Sequence, residues 1–131
     1  MNGEKNLAKL LAAMHPRLNA GEYVFCTTTN VSQIDLANVL LIFKEEEGTT
    51  LILKKEVADK LLLDYTFVAA WITLTVHSAL EAVGLTAAFS KALAAENISC
   101  NIVAGYFHDH LFVPAEDAAK AMVALNKFSK L

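Results

Sequence analysis

The stretch "TVHSALEAVGLTAA", residues 75–88, begins with the pattern of a β-strand and ends with the pattern of a helix. Residues 71–76 alternate between two kinds of side chain, which suits an extended strand with two different faces. His77 and Ser78 interrupt this alternation, and Gly84 stands in the first turn of a predicted helix of small residues. A strand, a polar break and a helix start with almost no side chain predict a corner where backbone N–H groups hold a carboxylate.

Composition limits the classes of protein that need to be considered. The chain has 131 residues, of which 55% are hydrophobic, and suits one compact domain or two small repeats that share a core. Lys and Arg total 11 against 14 acidic residues and form no basic stripe, so we expect no nucleic-acid partner. We also expect no signal peptide and no membrane span. Cys26 and Cys100 lie in apolar runs typical of reduced, buried thiols, which predicts a cytoplasmic protein.

Hydrophobic periodicity and turn residues divide the chain into short helices and strands. The first half predicts a helix at residues 4–14, strands at 23–28, 39–44 and 49–53, a loop at 29–38, and a helix at 54–63. The second half predicts strands at residues 67–76, 99–107 and 111–113, a helix at 83–96, a turn at His108-Asp109-His110, and a last helix after Pro114.

The two halves repeat a common pattern of strand, turn, strand and helix. "NVLLIFKEEEGTTLILKKEVADKL" (residues 38–61) aligns with "NIVAGYFHDHLFVPAEDAAKAM" (residues 101–122) if the second copy has a loop three residues shorter. A further strand precedes each copy. We therefore predict a reduced βββα repeat at residues 1–65 and a βαββα repeat at residues 66–131, which share a core and fold as one unit. Helices on one face of an antiparallel sheet make an α+β fold.

"ITLTVHSALEAVGLTAAFSKALAAENISCNIVAGYFHDHLFVP", residues 72–114, resembles an ACT domain, the βαββαβ module of allosteric amino-acid sensing. "GEYVFCT" and "EEEGTTLIL" extend the resemblance to the first repeat, and the whole chain is similar to small bacterial proteins of two ACT-like repeats, whose function is largely uncharacterised. The resemblance implies a ferredoxin-like fold and a small ligand at the strand–loop–helix corner, often at a subunit interface. Many sensing ACT domains have Pro-Gly where this chain has Val83-Gly84 after a longer loop.

The predicted ligand is an amino acid. The predicted binding residues are His77, Ser78, Glu81, Val83, Gly84, Leu85 and Asn101. The helix start at Gly84 would hold the α-carboxylate, Glu81 would meet the α-ammonium group, and Asn101 would supply an amide from the strand expected beside it. The alternative is that Gly84 only permits close helix–sheet packing. We expect Gly84→Val to separate the two, since the first predicts lost binding with an intact fold and the second an overpacked core.

His108, Asp109 and His110 suggest a metal site or an accessory part of the ligand site. Two histidines two residues apart share one side of a strand, and His77 or Cys100 would complete three ligands. Asp, however, is a normal turn residue. We therefore predict no metal, no cofactor and no enzyme activity, since the chain has neither a phosphate loop nor a Gly-x-Ser-x-Gly motif.

Three classes of function remain. The first is a regulatory protein that binds a small molecule, and the second is a ligand-free structural or protein-interaction module with the same fold. The third is a metal-binding protein that uses His77, His108 and His110. The sequence identifies neither the ligand nor the protein that such a sensor regulates.

The sheet face away from the helices is predicted to be uncovered. Ile72, Leu74 and Val76 are the positions expected to face the helices. The opposite face would carry Trp71, Thr73 and Thr75, with Tyr106 and Phe112 beside them. Because exposed aromatic patches usually mark an interface, we expect a homodimer or a higher even-numbered oligomer.

Overall fold

The computed structural model describes residues 6–75 and 84–130 and forms two compact units. The single-segment unit is Ala20–Ala69, and the two-segment unit is Met1–Asn19 with Ala70–Leu131. The N-terminal helix thus belongs to the same unit as the second predicted repeat, although the sequence places it in the first. That the repeats 1–65 and 66–131 fold as one unit stays a prediction.

The described residues form short strands and helices, in agreement with the predicted α+β class. In chain order they are α1 (Leu7–Ala13), β1 (Pro16–Leu18), β2 (Tyr23–Thr28), β3 (Val39–Lys44), β4 (Thr49–Lys54), α2 (Lys55–Lys60), β5 (Val68–Leu74), α3 (Leu85–Ala95), β6 (Asn101–Ala104), β7 (Asp109–Pro114) and α4 (Ala118–Asn126). None of the helices in the described part of the chain is long and apolar enough to cross a membrane.

The single-segment unit is built on the antiparallel strands β3, β4 and β2, in that order. Its core consists of Val24, Cys26, Leu51, Leu53 and Ala58. Short 3₁₀ turns at Val31–Gln33 and Leu36–Asn38 occupy the connection between β2 and β3. The side chains of Asn30 and Asp35 cap these turns. Polar capping residues close together favour such turns over a long helix, and the described connection between β2 and β3 contains these turns in place of one.

In the two-segment unit, β1 pairs antiparallel with β5, and β7 lies between β5 and β6. The core contains α1, α3 and α4 residues packed on alternate positions of β5 and β7. Its largest buried members are Leu10, Met14, Ile72, Leu74, Phe89, Leu93, Leu111 and Leu125. The helix-facing positions predicted on β5 are therefore confirmed for Ile72 and Leu74, while Val76 lies outside the described residues. Strand β1 was not predicted because three residues are too few to show an alternating pattern.

The two hairpins close with turns of equal length. The N–H of Glu45 donates to the carbonyl of Gly48 (3.1 Å), and the N–H of Gly105 donates to the carbonyl of His108 (2.9 Å). The predicted loop three residues shorter in the second copy is therefore wrong. Apolar residues along both arms of a hairpin match in several registers, whereas the turn hydrogen bond selects one.

The second turn lies earlier than the sequence suggests. Residues 105–108 form it, so Asp109 and His110 belong to β7 and not to a turn. A Cβ on Gly105 would lie 2.9 Å from the His108 carbonyl oxygen, too close for any other residue without a backbone shift. Gly105, and not Asp109, is therefore the residue that favours the position of this turn.

Two helices end in the same left-handed cap. In α3, Asn97 has φ 58° and its N–H donates to the Ala94 carbonyl, while the Ile98 N–H donates to the Leu93 carbonyl. This pair of hydrogen bonds is a Schellman motif, in which Asn97 takes the left-handed position that ends the helix. Helix α2 ends in the same way at Leu62, whose φ is 57°.

The backbone of Leu62 is strained at this cap, because the left-handed region costs a residue other than glycine about 1–2 kcal/mol. Its side chain is 88% exposed, so little packing is lost when it is removed. We expect Leu62→Gly to raise the free energy of unfolding by about 0.5–1 kcal/mol, measured by urea denaturation. The matched control is Leu61→Gly, since Leu61 has right-handed backbone angles, and this change should destabilise the protein. A lower free energy of unfolding in Leu62→Gly would contradict the claim that Leu62 is strained at this position.

Candidate functional site

The predicted corner between β5 and α3 is described at its two ends. His77, Ser78, Glu81 and Val83 lie outside the described residues, so their roles stay predictions. On the strand side, the N–H and the hydroxyl of Thr75 both donate to the His15 carbonyl, at 2.9 and 2.6 Å. The strand end is thus fixed to the segment between α1 and β1.

Gly84 forms the helix side of the corner. It is the N-cap of α3, with φ 93° and ψ −14°, and its carbonyl accepts from the Ala88 N–H at 2.9 Å. The glycine therefore precedes the helix and does not lie within its first turn as the sequence suggested. An added Cβ would lie 3.1 Å from the Leu7 Cδ2 atom and would also face the strain of a positive φ.

This backbone conformation overturns the expectation that Gly84→Val would leave the fold intact. The expectation rested on valine's tolerance within helices, whereas a β-branched residue at φ 93° is strongly disfavoured. Both interpretations of Gly84 now predict an unstable valine variant, so this substitution does not separate them.

Helix α3 begins without an anionic or capping side chain in its described residues. No side chain hydrogen-bonds as a cap at Gly84, and the first turn contains no acid. Other helix starts have such groups, namely the Asn6 side chain that caps α1, Glu56 in the first turn of α2, and Glu116 and Asp117 before α4. The first-turn N–H groups of α3 are consequently suited to an anion that the described residues do not provide, such as a ligand carboxylate.

Leu85 and Asn101 occupy different positions from those expected. The Leu85 side chain is 3% exposed and belongs to the core, so only its backbone is suited to a ligand. Asn101 is exposed and lies opposite Phe112 at the start of β6. The expectation that its strand lies next to β5 is wrong, because the second arm of the hairpin, β7, lies between them. A role for Asn101 stays a prediction.

His110 makes contacts that do not resemble a metal site. Its Nδ1 atom accepts a hydrogen bond from Trp71 Nε1 at 3.0 Å and lies 3.2 Å from the Thr73 hydroxyl. Within residues 6–75 and 84–130, no three His, Cys, Asp or Glu side chains are grouped to hold a metal ion. The metal-binding alternative with His77, His108 and His110 is not supported.

The sheet face predicted to be open is closed at two of its positions. Thr73 is fully buried and Phe112 is 2% exposed, whereas Tyr106 is 75% exposed at the hairpin turn. Asn19 covers part of this face, since its Nδ2 donates to the Trp71 carbonyl and to the Thr73 hydroxyl. The expectation that Thr73 and Phe112 lie on an uncovered face is therefore wrong, and these two residues do not support a dimer through it.

Neither cysteine has the environment of a nucleophile. Burial raises the pKa of Cys100 to about 11, and burial, followed by the charge of Asp64, raises the pKa of Cys26. Both are free thiols. Thiols with raised pKa values remain protonated at neutral pH and react slowly.

A surface pocket that sequence reasoning missed lies in the single-segment unit. Its volume is about 440 Å³, and it is lined by Ala20, Gly21, Glu22, Lys54, Lys55 and Glu56. The Lys55 ammonium is paired with the Asp59 carboxylate at 3.1 Å, which also accepts from the Tyr65 hydroxyl at 2.7 Å. Because the pair is exposed, the pocket is a solvated depression with both signs of charge.

The architecture is a tandem of ferredoxin-like modules, each with an antiparallel hairpin followed by a helix. A model of the ACT domain matches residues 2–70, and a second ACT domain model matches residues 67–127. The chain belongs to the ACT domain family.

Solved structures support this assignment. A protein of unknown function from Vibrio cholerae, described as a possible transport protein, is 48% identical, with a TM-score of 0.86 over 95% of this chain and 97% of its own. The ligand-free regulatory subunit of aspartate kinase from Thermus thermophilus is 14% identical, with a TM-score of 0.67 over 92% of this chain and 99% of that chain. Escherichia coli aspartokinase III, in complex with aspartate and ADP, is 18% identical, with a TM-score of 0.63 over 91% of this chain and 33% of that enzyme. The comparison with curated proteins gives no match.

The positive φ of Gly84 predicts that a side chain added at this position lowers the stability of the folded protein. We expect Gly84→Ala to lower the free energy of unfolding by about 1–2 kcal/mol, because alanine is strained in the left-handed region. Gly84→Asn should lose less, since asparagine tolerates that region. Ser90→Ala, at an exposed position within α3, is the control and should change stability little. Equal stability of all three variants in denaturant titrations would show that Gly84 adopts another conformation.

Proposed function

We propose that this protein is a non-catalytic regulatory module that binds an amino acid at the start of α3 in its second ACT repeat. The ligand carboxylate would accept hydrogen bonds from the first-turn N–H groups of α3 after Gly84. Glu81 would pair with the α-ammonium group, while His77 and Ser78 would contribute further hydrogen bonds. Binding would then be communicated to a partner protein or another copy of the chain.

The observation that carries this proposal is the start of α3, as the described residues from Gly84 onward form it. Gly84 holds a left-handed conformation there, and the described residues provide neither a cap nor an acid in the first turn. A carboxylate matches both the free N–H donors and the positive end of the helix dipole. Membership of the ACT family adds support, because its members typically regulate in response to amino acids, and aspartate kinase regulatory subunits share the fold.

The first repeat differs from the second where the ligand corner would lie. Its connection between β2 and β3 contains the 3₁₀ turns Val31–Gln33 and Leu36–Asn38 where the second repeat has α3. Each turn is already capped by the side chain that precedes it. We therefore propose one ligand corner per chain.

Binding is tested by thermal melts and calorimetry of dialysed protein with each common amino acid at millimolar concentration. A ligand present at 100 times its Kd should stabilise the folded protein by about 2.7 kcal/mol. If no amino acid raises the melting temperature or releases heat, the proposal is wrong and the ligand-free module becomes the better account.

The assignment of the ammonium partner is tested with the amino acid found in that screen. Glu81→Gln should weaken its binding by about tenfold or more, because a charged hydrogen bond is lost. Glu47→Gln, in the exposed hairpin turn of the single-segment unit, is the matched control and should bind as wild type does. An unchanged affinity in Glu81→Gln would remove Glu81 from the site while leaving the ligand itself established.

We also propose that the chain forms a homodimer through β3. This strand ends the order of strands in the single-segment unit. Its exposed fractions are 40% at Leu40, 38% at Ile42 and 62% at Phe43. An apolar edge strand is suited to pairing with the same strand of a second copy, which would cover these side chains.

Sedimentation at micromolar concentration should therefore show a dimer for the wild-type chain. Ile42→Lys should shift it to monomer, because a charge would be buried in the interface. Val123→Lys, at a position 62% exposed on α4, is the matched control and should remain dimeric. A monomeric wild type, or a dimer insensitive to Ile42→Lys, would contradict the β3 interface.

A further inference from the structure

A hydrogen-bonded cluster lies on the face of the two-segment unit opposite its helices. Trp71 and Thr73 come from β5, His110 comes from β7, and Asn19 follows β1. The Trp71 indole N–H donates to His110 Nδ1 at 3.0 Å, and the Thr73 hydroxyl lies 3.2 Å from the same nitrogen. Asn19 Nδ2 donates to the Thr73 hydroxyl oxygen at 3.0 Å and to the Trp71 carbonyl at 3.2 Å.

The chemistry of the donors determines the protonation state of His110. An indole N–H can only donate, so Nδ1 must carry a lone pair. The Thr73 hydroxyl, whose oxygen accepts from Asn19, lies close enough for its O–H to share this one lone pair as a second, weaker donor. The cluster is consequently complete only with a neutral imidazole that carries its proton on Nε2. A proton on Nδ1 would place two N–H groups against each other at 3.0 Å.

The surroundings also disfavour the charged form of His110. Burial lowers its pKa most, and the neighbouring His108 and the Arg17 side chain on β1 lower it further, against the opposing charge of Asp109. Burial in turn raises the pKa of Asp109, which weakens that opposing charge as the pH falls. Arg17 lies directly opposite Thr73 in the β1–β5 ladder.

We propose that the cluster of Asn19, Trp71, Thr73 and His110 is a proton-controlled latch, in which neutral His110 holds the Trp71 and Thr73 side chains and its protonation releases them. The latch is independent of the ligand corner and of the β3 interface. It makes the two-segment unit sensitive to mild acid, since histidine changes its charge in the range through which cellular pH varies.

The direction of the effect on stability follows from the lowered pKa. In the unfolded chain His110 would titrate near its ordinary pKa of about 6.5. As the pH falls below that value, the unfolded chain binds a proton that the folded chain still excludes, so the free energy of unfolding decreases. The contribution of the latch is complete above about pH 6.5 and is lost progressively below it.

The wild-type protein itself provides the first test. Its single tryptophan is Trp71, so the fluorescence emission reports this cluster alone. Emission should change in one step as the pH is lowered from about 8 to about 5, with a midpoint below about 6.5. Imidazole nitrogen NMR at neutral pH should show His110 neutral and protonated on Nε2. A proton on Nδ1 at neutral pH would overturn the latch.

Two variants assign the step to one side chain. His110→Asn retains an acceptor near the Nδ1 position but cannot titrate, so the fluorescence step should disappear. His108→Asn removes a neighbouring positive charge and should retain the step, with its midpoint moved to higher pH. If His110→Asn does not fold, the wild-type and His108→Asn titrations remain decisive. A step that persists in His110→Asn, or its absence in the wild type, would contradict the proposal.

Discussion

Strand β5 has to satisfy two different surfaces, and the rest of the two-segment unit depends on how it does so. Ile72 and Leu74 are fully buried on the helix side, where α1, α3 and α4 supply the opposing apolar surface. Thr73, between them, is equally buried on the other side but meets polar partners. Since a buried hydroxyl without a hydrogen bond costs about 1–3 kcal/mol, the partners on that side are a structural requirement.

This requirement explains why a segment far away in sequence belongs to the same unit. Asn19 supplies the donor to Thr73, and β1 brings it there by pairing with β5. The strand end is fixed in the same way by His15, which accepts two hydrogen bonds from Thr75. Leu10 and Met14 of the N-terminal segment also lie in this core. Helix α1 and strand β1 therefore supply part of the two-segment unit that the second repeat does not contain.

The elements with strong local signals were predictable from the sequence. Helix α3 and the last helix follow from hydrophobic periodicity, and the family resemblance is confirmed. Strand β1 and the exact turn of the second hairpin were not predictable. They depend on long-range pairing and on the hydrogen bond between Gly105 and His108, which periodicity does not encode.

The candidate site was predictable only in part, for a related reason. The glycine at the start of α3 is apparent in the sequence, but its positive φ depends on the path of the chain into the helix, so the consequence of adding a side chain was misjudged. The sequence also does not show which arm of the second hairpin lies beside β5. The structure places β7 there, and not β6 as expected. His110, expected as an accessory or metal residue, instead accepts the Trp71 N–H.

We propose that the second ACT repeat, and not the first, provides a ligand corner at the start of α3. Amide NMR of the wild-type protein during titration with the common amino acids tests it residue by residue. We predict that one of them shifts the amide signals of Gly84, Leu85 and Thr86, with little change in those of Val31–Gln33. Shifts confined to Val31–Gln33 or to the pocket around Gly21 and Lys54, with α3 unchanged, would contradict it.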